Sequence, residues 1–121
     1  MPEIKLKRVY EDPSADDGFR VLVDKLWPRG VKKEHLKYDE WAKGITPSAT
    51  IRKWFHEDPE GRWSDFVTLY QKELSQSEDV KTFVDEIRKY KEVTLLYASH
   101  DTVHNHAIIL KDYLDRILAK D

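Results

Sequence analysis

Val93-Thr94-Leu95-Leu96-Tyr97-Ala98, followed by the polar turn Ser99-His100-Asp101-Thr102 and then by Val103, Ala107, Leu110, Leu114, Ile117 and Leu118, decides the fold class of this chain. An unbroken apolar run of strand formers reads as a strand covered on both faces, so it is expected at the centre of a sheet. The residues after the turn form the buried stripe of an amphipathic helix. Strand, polar turn, helix is the order of an α/β layer.

Working outward, Ser77 caps a helix whose apolar face is Val80, Phe83, Val84 and Ile87. Before it, Trp63, Phe66, Val67, Tyr70 and Leu74 share one face of another helix. Asp58-Pro59 separates that helix from a shorter one carrying Ile51, Trp54 and Phe55, which Thr46-Pro47-Ser48 introduces. The stretch from Val31 to Ile45 has weak periodicity and is read as one short helix followed by irregular chain around Trp41. Phe19 to Leu26 reads as a strand with a buried centre that stops at Trp27-Pro28-Arg29-Gly30, and Ile4 to Tyr10 alternates like a half-exposed strand. The acidic link Glu11 to Gly18 is shorter than a helical crossover needs, so a hairpin and an irregular parallel connection both remain open. The expectation is a small, mainly parallel sheet of three or four strands packed with about four or five helices.

A chain of 121 residues suits one domain, and residues 1–121 show no internal repeat or linker. Lys and Arg number 21 against 23 Asp and Glu, a formal net charge of −2, so broad attraction to nucleic acid or anionic lipid is not expected. The absence of cysteine excludes disulfide frameworks, thiol catalysis and thiolate metal sites. No apolar stretch approaches the roughly 20 residues of a membrane span, and Met1-Pro2-Glu3-Ile4-Lys5 does not read as a signal peptide, so a cytoplasmic protein is expected. Gly-rich phosphate loops, dinucleotide fingerprints and G-x-S-x-G elbows are absent, and no cofactor is expected.

Ligands of α/β sheets gather beyond the carboxyl ends of the strands, and all three strand ends here are polar. The first supplies Arg8, Tyr10 and the link through Asp17; the second Asp24, Trp27 and Arg29; the third Asn105 and His106 with the turn before them. Arg29, between a rigid proline and a glycine, is placed to fork onto a carboxylate or phosphate, against the alternative of an ion pair with Asp24 or Asp17. Asp24 is either a base or the partner of Arg20 or Arg29. His100, His104 and His106 lack the companion carboxylate of a zinc motif, so no metal site is assigned. Asp101 reads as the cap of the last helix.

The chain resembles the YeaO-like proteins of a domain-of-unknown-function family, DUF488. The resemblance rests on Arg8-Val9-Tyr10, on Asp17-Gly18-Phe19-Arg20 running through Asp24 to Trp27-Pro28-Arg29-Gly30, on Trp63-x-x-Phe66, and on Asn105-His106-Ala107. It implies a small bacterial α/β domain and brings no established reaction. Lys25 stands where the family usually has Arg, and Ile45-Thr46 precede Pro47 where an alanine is usual. In the wider family Cys-His occupies the place of Asn105-His106, so a thiol mechanism does not carry over. The positions that do are Arg8, Tyr10, Asp17, Arg20, Asp24, Trp27, Arg29, Asn105 and His106. Two functions follow as expectations. In one, Arg29 and Arg8 hold a small anion while His106 and Asp24 act as acid or base; in the other, the Trp-Pro-Arg-Gly loop docks on a partner protein without catalysis. Oligomeric state is not legible in the sequence.

Overall fold

In the computed structural model, which describes residues 2–120, four strands form one sheet: β1 (Glu3–Arg8), β2 (Phe19–Leu22), β3 (Glu40–Trp41) and β4 (Glu92–Tyr97). Their order is β1-β4-β2-β3 and every pairing is parallel. Four α-helices follow the chain as α1 (Ala49–His56), α2 (Pro59–Ser75), α3 (Glu78–Ile87) and α4 (His106–Ala119). None is long and apolar enough to cross a membrane.

The apolar run at 93–97 is central, as its composition requires. Ile4 lies beside Val93 and Arg8 beside Tyr97 on one edge, while Phe19 and Leu22 lie beside Val93 and Leu96 on the other. This settles how the first two strands relate. They form neither a hairpin nor a direct parallel pair, because β4 enters between them and hydrogen-bonds to both.

The two sheet faces are covered differently. Val21, Val23, Val93 and Leu95 pack with residues from all four helices, including Phe55, Phe66, Val84 and Leu110. Leu22 and Leu96 face the other way, onto Val9, Leu36, Trp27, Val31 and Trp41. The expected short helix between Val31 and Ile45 is therefore replaced by turns, the two-residue strand β3 and a 3-10 turn at Lys43–Ile45. Val31, Leu36 and Trp41 of that segment cover the second face, while Ala42 and Ile45 turn into the first core.

Three other boundaries differ from expectation. β1 ends at Arg8, and β2 ends at Leu22 although the Val23 N–H still bonds the Leu96 carbonyl. The last helix starts at His106 because Asn105, not Asp101, is its N-cap, and Val103 is left 63% exposed outside the stripe. Asp101 instead closes a turn by accepting from the Val103 and His104 N–H groups. The Asp58 carboxylate caps α2 ahead of Pro59, and Ser77 caps α3 as its pattern predicts. At Gly18, φ is 63° and any Cβ would collide with the Glu92 carbonyl, so only glycine lets the chain enter β2 beside β4.

Leu95 has no exposed surface, and its truncation to alanine is expected to cost about 2–5 kcal/mol, read as a lower denaturant midpoint with an unchanged slope. A second test uses the sheet edge, where the Glu40 carboxyl faces the Glu86 carboxyl of α3. Burial, then that second carboxyl, push the Glu40 pKa up from 4.5 to about 7. The folded chain thus holds this proton more tightly than the unfolded one, and the stabilisation present below pH 4.5 is lost as pH rises through about 7. Glu40→Gln should flatten that decline relative to the parent in urea titrations at several pH values.

Candidate functional site

Because all strands run the same way, the chain leaves β2 and β4 at the same end of the sheet, and a cleft of about 540 Å³ lies there. Its walls are the segment 24–29 after β2, the segment 98–106 after β4, and residues from α1, α2 and the turn before α1.

The loop after β2 is held by two indoles. Trp27 Nε1 donates to the Val31 carbonyl at 2.5 Å, and Trp41 Nε1 donates to the Asp24 carbonyl at 2.7 Å. The Trp27 ring also meets Trp41 and Tyr38 edge-on at 5.4 and 5.7 Å. With Pro28 buried and Gly30 at φ 77°, the loop turns outward and presents Arg29 at the cleft. The Arg29 side chain makes no hydrogen bond or ion pair with the described residues. The ion pairs considered for it are taken by others: Asp17 binds Lys7 and Arg20, and Asp24 faces His106.

The loop after β4 is held from behind. The Arg8 guanidinium donates to the Ser99 and Ala98 carbonyls at 2.9 and 3.0 Å and meets His100 Nδ1 at 3.3 Å. It also lies over the Tyr10 ring, whose hydroxyl donates to the Arg29 carbonyl at 3.1 Å. Asn105, 3% exposed, accepts from the Ile108 N–H and donates to the Asp101 carbonyl.

Asp24 and His106 meet at the back of the cleft. His106 Nε2 lies 2.7 Å from the Val23 carbonyl, which can only accept, and 3.4 Å from Asp24 Oδ1. Nε2 therefore carries the proton and Nδ1 is the acceptor of the neutral ring. Burial lowers the His106 pKa and favours that neutral form, against the pull of the Asp24 carboxylate and the Val23 carbonyl. Burial also raises the Asp24 pKa, opposed by His106 and by the Ala98 N–H, which donates to Asp24 Oδ2 at 3.0 Å.

Of the residues expected from sequence, Asp24, Trp27, Arg29, Asn105 and His106 line this cleft. Arg8 and Tyr10 stand behind its two loops. Asp17 and Arg20 lie elsewhere: Asp17 precedes β2 at the amino end of that strand, and Arg20 binds it and the Lys37 carbonyl at 2.7 Å. Burial of Asp17 would raise its pKa, but the Lys7 ammonium, the Ser14 N–H and Arg20 outweigh it and hold the carboxyl low. Among the described residues, no group of three or more His, Cys, Asp and Glu side chains is placed to hold a metal ion.

The family model described as "Inactive DUF488-N3 subclade" matches residues 3–121. The chain belongs to the DUF488 family. It is 46% identical over 114 residues to the "Uncharacterized protein YeaO" of Escherichia coli (strain K12), covering 92% of this chain and 96% of that one. It is 37% identical over 115 residues to "Uncharacterized protein Rv3073c" of Mycobacterium tuberculosis, covering 93% of each. No solved structure matches.

The structure adds cleft residues that the strand-end rule did not single out, chiefly Arg52 and His56 of α1. They lie outside any strand end and so escaped it. Their signal was helical: positions 52 and 56 are four apart on one face, and Arg52 is three residues before the buried Phe55. An arginine so close to a core position calls for a partner.

Asn105 is expected to be a structural member of this site. Asn105→Ala removes the cap of α4 and the side-chain bond to the Asp101 carbonyl, so a loss of about 1–2 kcal/mol is expected from denaturant midpoints, whatever ligand is present.

Proposed function

We propose that this protein binds a small anionic molecule in the cleft beyond β2 and β4. The observation that carries this reading is the charge balance of the lining. Lys25, Arg29 and Arg52 converge with four histidines, and among the described lining residues Asp24 is the one carboxylate. Asp24 is already engaged by the Ala98 N–H and His106, so the arginine charges are not neutralised from within. A concave, partly apolar site of a few hundred Å³ with convergent donors is the usual form of a small-ligand pocket.

Binding without turnover is the form of this reading that the observations favour. The family description carries the word "Inactive". The Asp24–His106 pair, the best candidate for acid–base work, has its shared proton turned toward the Val23 carbonyl. His106 then serves as a neutral wall with an acceptor at Nδ1, and Asp24 as its orienting partner. Docking of the Trp-Pro-Arg-Gly loop on a protein draws less support, since Trp27 is packed inward on Trp41 and Tyr38.

The test is thermal unfolding with phosphate, sulfate and acetate, each against sodium chloride of equal ionic strength. A saturable rise in Tm is expected, with Arg29→Ala weakening it severalfold while the ligand-free Tm stays within about a degree, because Arg29 supports nothing internal. Equal responses to chloride and to every anion would overturn the reading.

A further inference from the structure

Arg52 carries one feature that neither the fold nor the charge balance explains. Its Nε is buried and has no hydrogen-bond partner, the one such side-chain atom found among the described residues. Among the described residues the terminal guanidinium nitrogens have no acceptor either. Buried polar groups are paired in native proteins; here Nε is closed off behind a guanidinium whose terminal nitrogens remain open at the cleft, and a charge so placed points to a partner that is not part of the chain. Arg52 is held there by its helix: its N–H bonds the Ser48 carbonyl at 3.0 Å in the first turn of α1, and Phe55, one turn on, is stacked on Phe66 at 4.1 Å.

The same wall is apolar. Phe55, Phe66, Pro28 and Pro47, all buried, line the cleft with the half-buried Trp27 and the exposed Leu26. A bare inorganic ion would satisfy the guanidinium and leave the rest of the cleft wet. The cleft volume of about 540 Å³ is several times the roughly 150 Å³ that accommodates one benzene ring. An anionic head alone would not fill it.

Resting on the anion-binding reading above, we propose that Arg52 is the anchor of the site and that its ligand is an amphipathic anion: one carboxylate or phosphate group on an aromatic or similarly apolar body. The two terminal nitrogens of Arg52 form a two-pronged edge that matches two oxygens of such a group. Arg29, exposed on its loop, supplies the second positive charge from the rim. The apolar body lies against the Leu26–Trp27 loop, on the side of the cleft that Phe55 and Phe66 back. Lysine in place of Arg52 would keep the charge and lose the edge.

Calorimetric titration and thermal shift with four probes test this: benzoate and phenyl phosphate, and their body-less counterparts acetate and inorganic phosphate. The aromatic member of each pair should bind on the order of tenfold or more tightly than its counterpart, the gain expected for burying a ring. Benzoate against phenyl phosphate then tells which head group the cleft takes. Arg52→Lys should lose about tenfold in affinity for the better probe, while its ligand-free Tm is unchanged or higher because the orphaned N–H is gone. Circular dichroism of Arg52→Lys and of a second variant, Arg52→Gln, checks that each folds, and the parent's preference among the probes stands without either. If the body-less anions bind as tightly as the aromatic ones, or Arg52→Lys binds like the parent, this inference falls and the anion-binding reading survives. If none of the four probes binds, both fall.

Discussion

The structure depends on one requirement: the backbone of Val93–Tyr97, buried on both faces, must find hydrogen-bond partners on both edges. Water is excluded there, so each N–H and carbonyl needs a strand beside it. β1 and β2 meet that need together, and neither can do so until the last strand in the chain lies between them. The sheet therefore closes through contacts far apart in sequence, Ile4 with Val93 and Leu22 with Leu96. Gly18 belongs to the same requirement, since a side chain there would strike Glu92 and prevent β2 from reaching β4.

Parallel pairing then determines where a cleft can form. With every strand pointing one way, the loops after β2 and β4 emerge side by side, and α1 and α2 close the remaining wall. The arginines divide according to what surrounds them. Arg8 and Arg20 are used internally, one bonding the carbonyls of the β4 loop and the other joined to Asp17 and Lys37. Arg29 and Arg52 find no side-chain acceptor among the described residues and share the lining of one cleft. The two groups are indistinguishable by residue type; geometry alone separates them.

Two tryptophans show how the irregular part of the chain contributes. Trp27 and Trp41 pack together on the second face of the sheet, and their N–H groups tie down Val31 and Asp24. A loop with Pro28 and Gly30 is thereby kept in one shape without regular secondary structure. The 31–45 segment forms no helix because its apolar residues are divided between the two faces, Val31, Leu36 and Trp41 covering the second and Ala42 and Ile45 joining the first.

The sequence by itself determined the layer type, the central position of the 93–97 strand, the faces of the helices and the polarity of the strand ends. These follow from local periodicity, which the chain expresses before any long-range contact exists. It also marked Asp24, Trp27, Arg29, Asn105 and His106, because residues directly after a strand are carried to the same rim. Only the tertiary structure decided that β4 separates β1 from β2, that Asn105 rather than Asp101 begins α4, and that Arg8 is a brace. Only it brought Arg52 to the cleft, from a helix whose preceding strand is the two-residue β3, too short to show in the sequence pattern. The strand order and the bracing by Arg8 turn on which distant group lies within about 3 Å of a donor or acceptor, and that distance is a property of the closed sheet and not of any local stretch of chain.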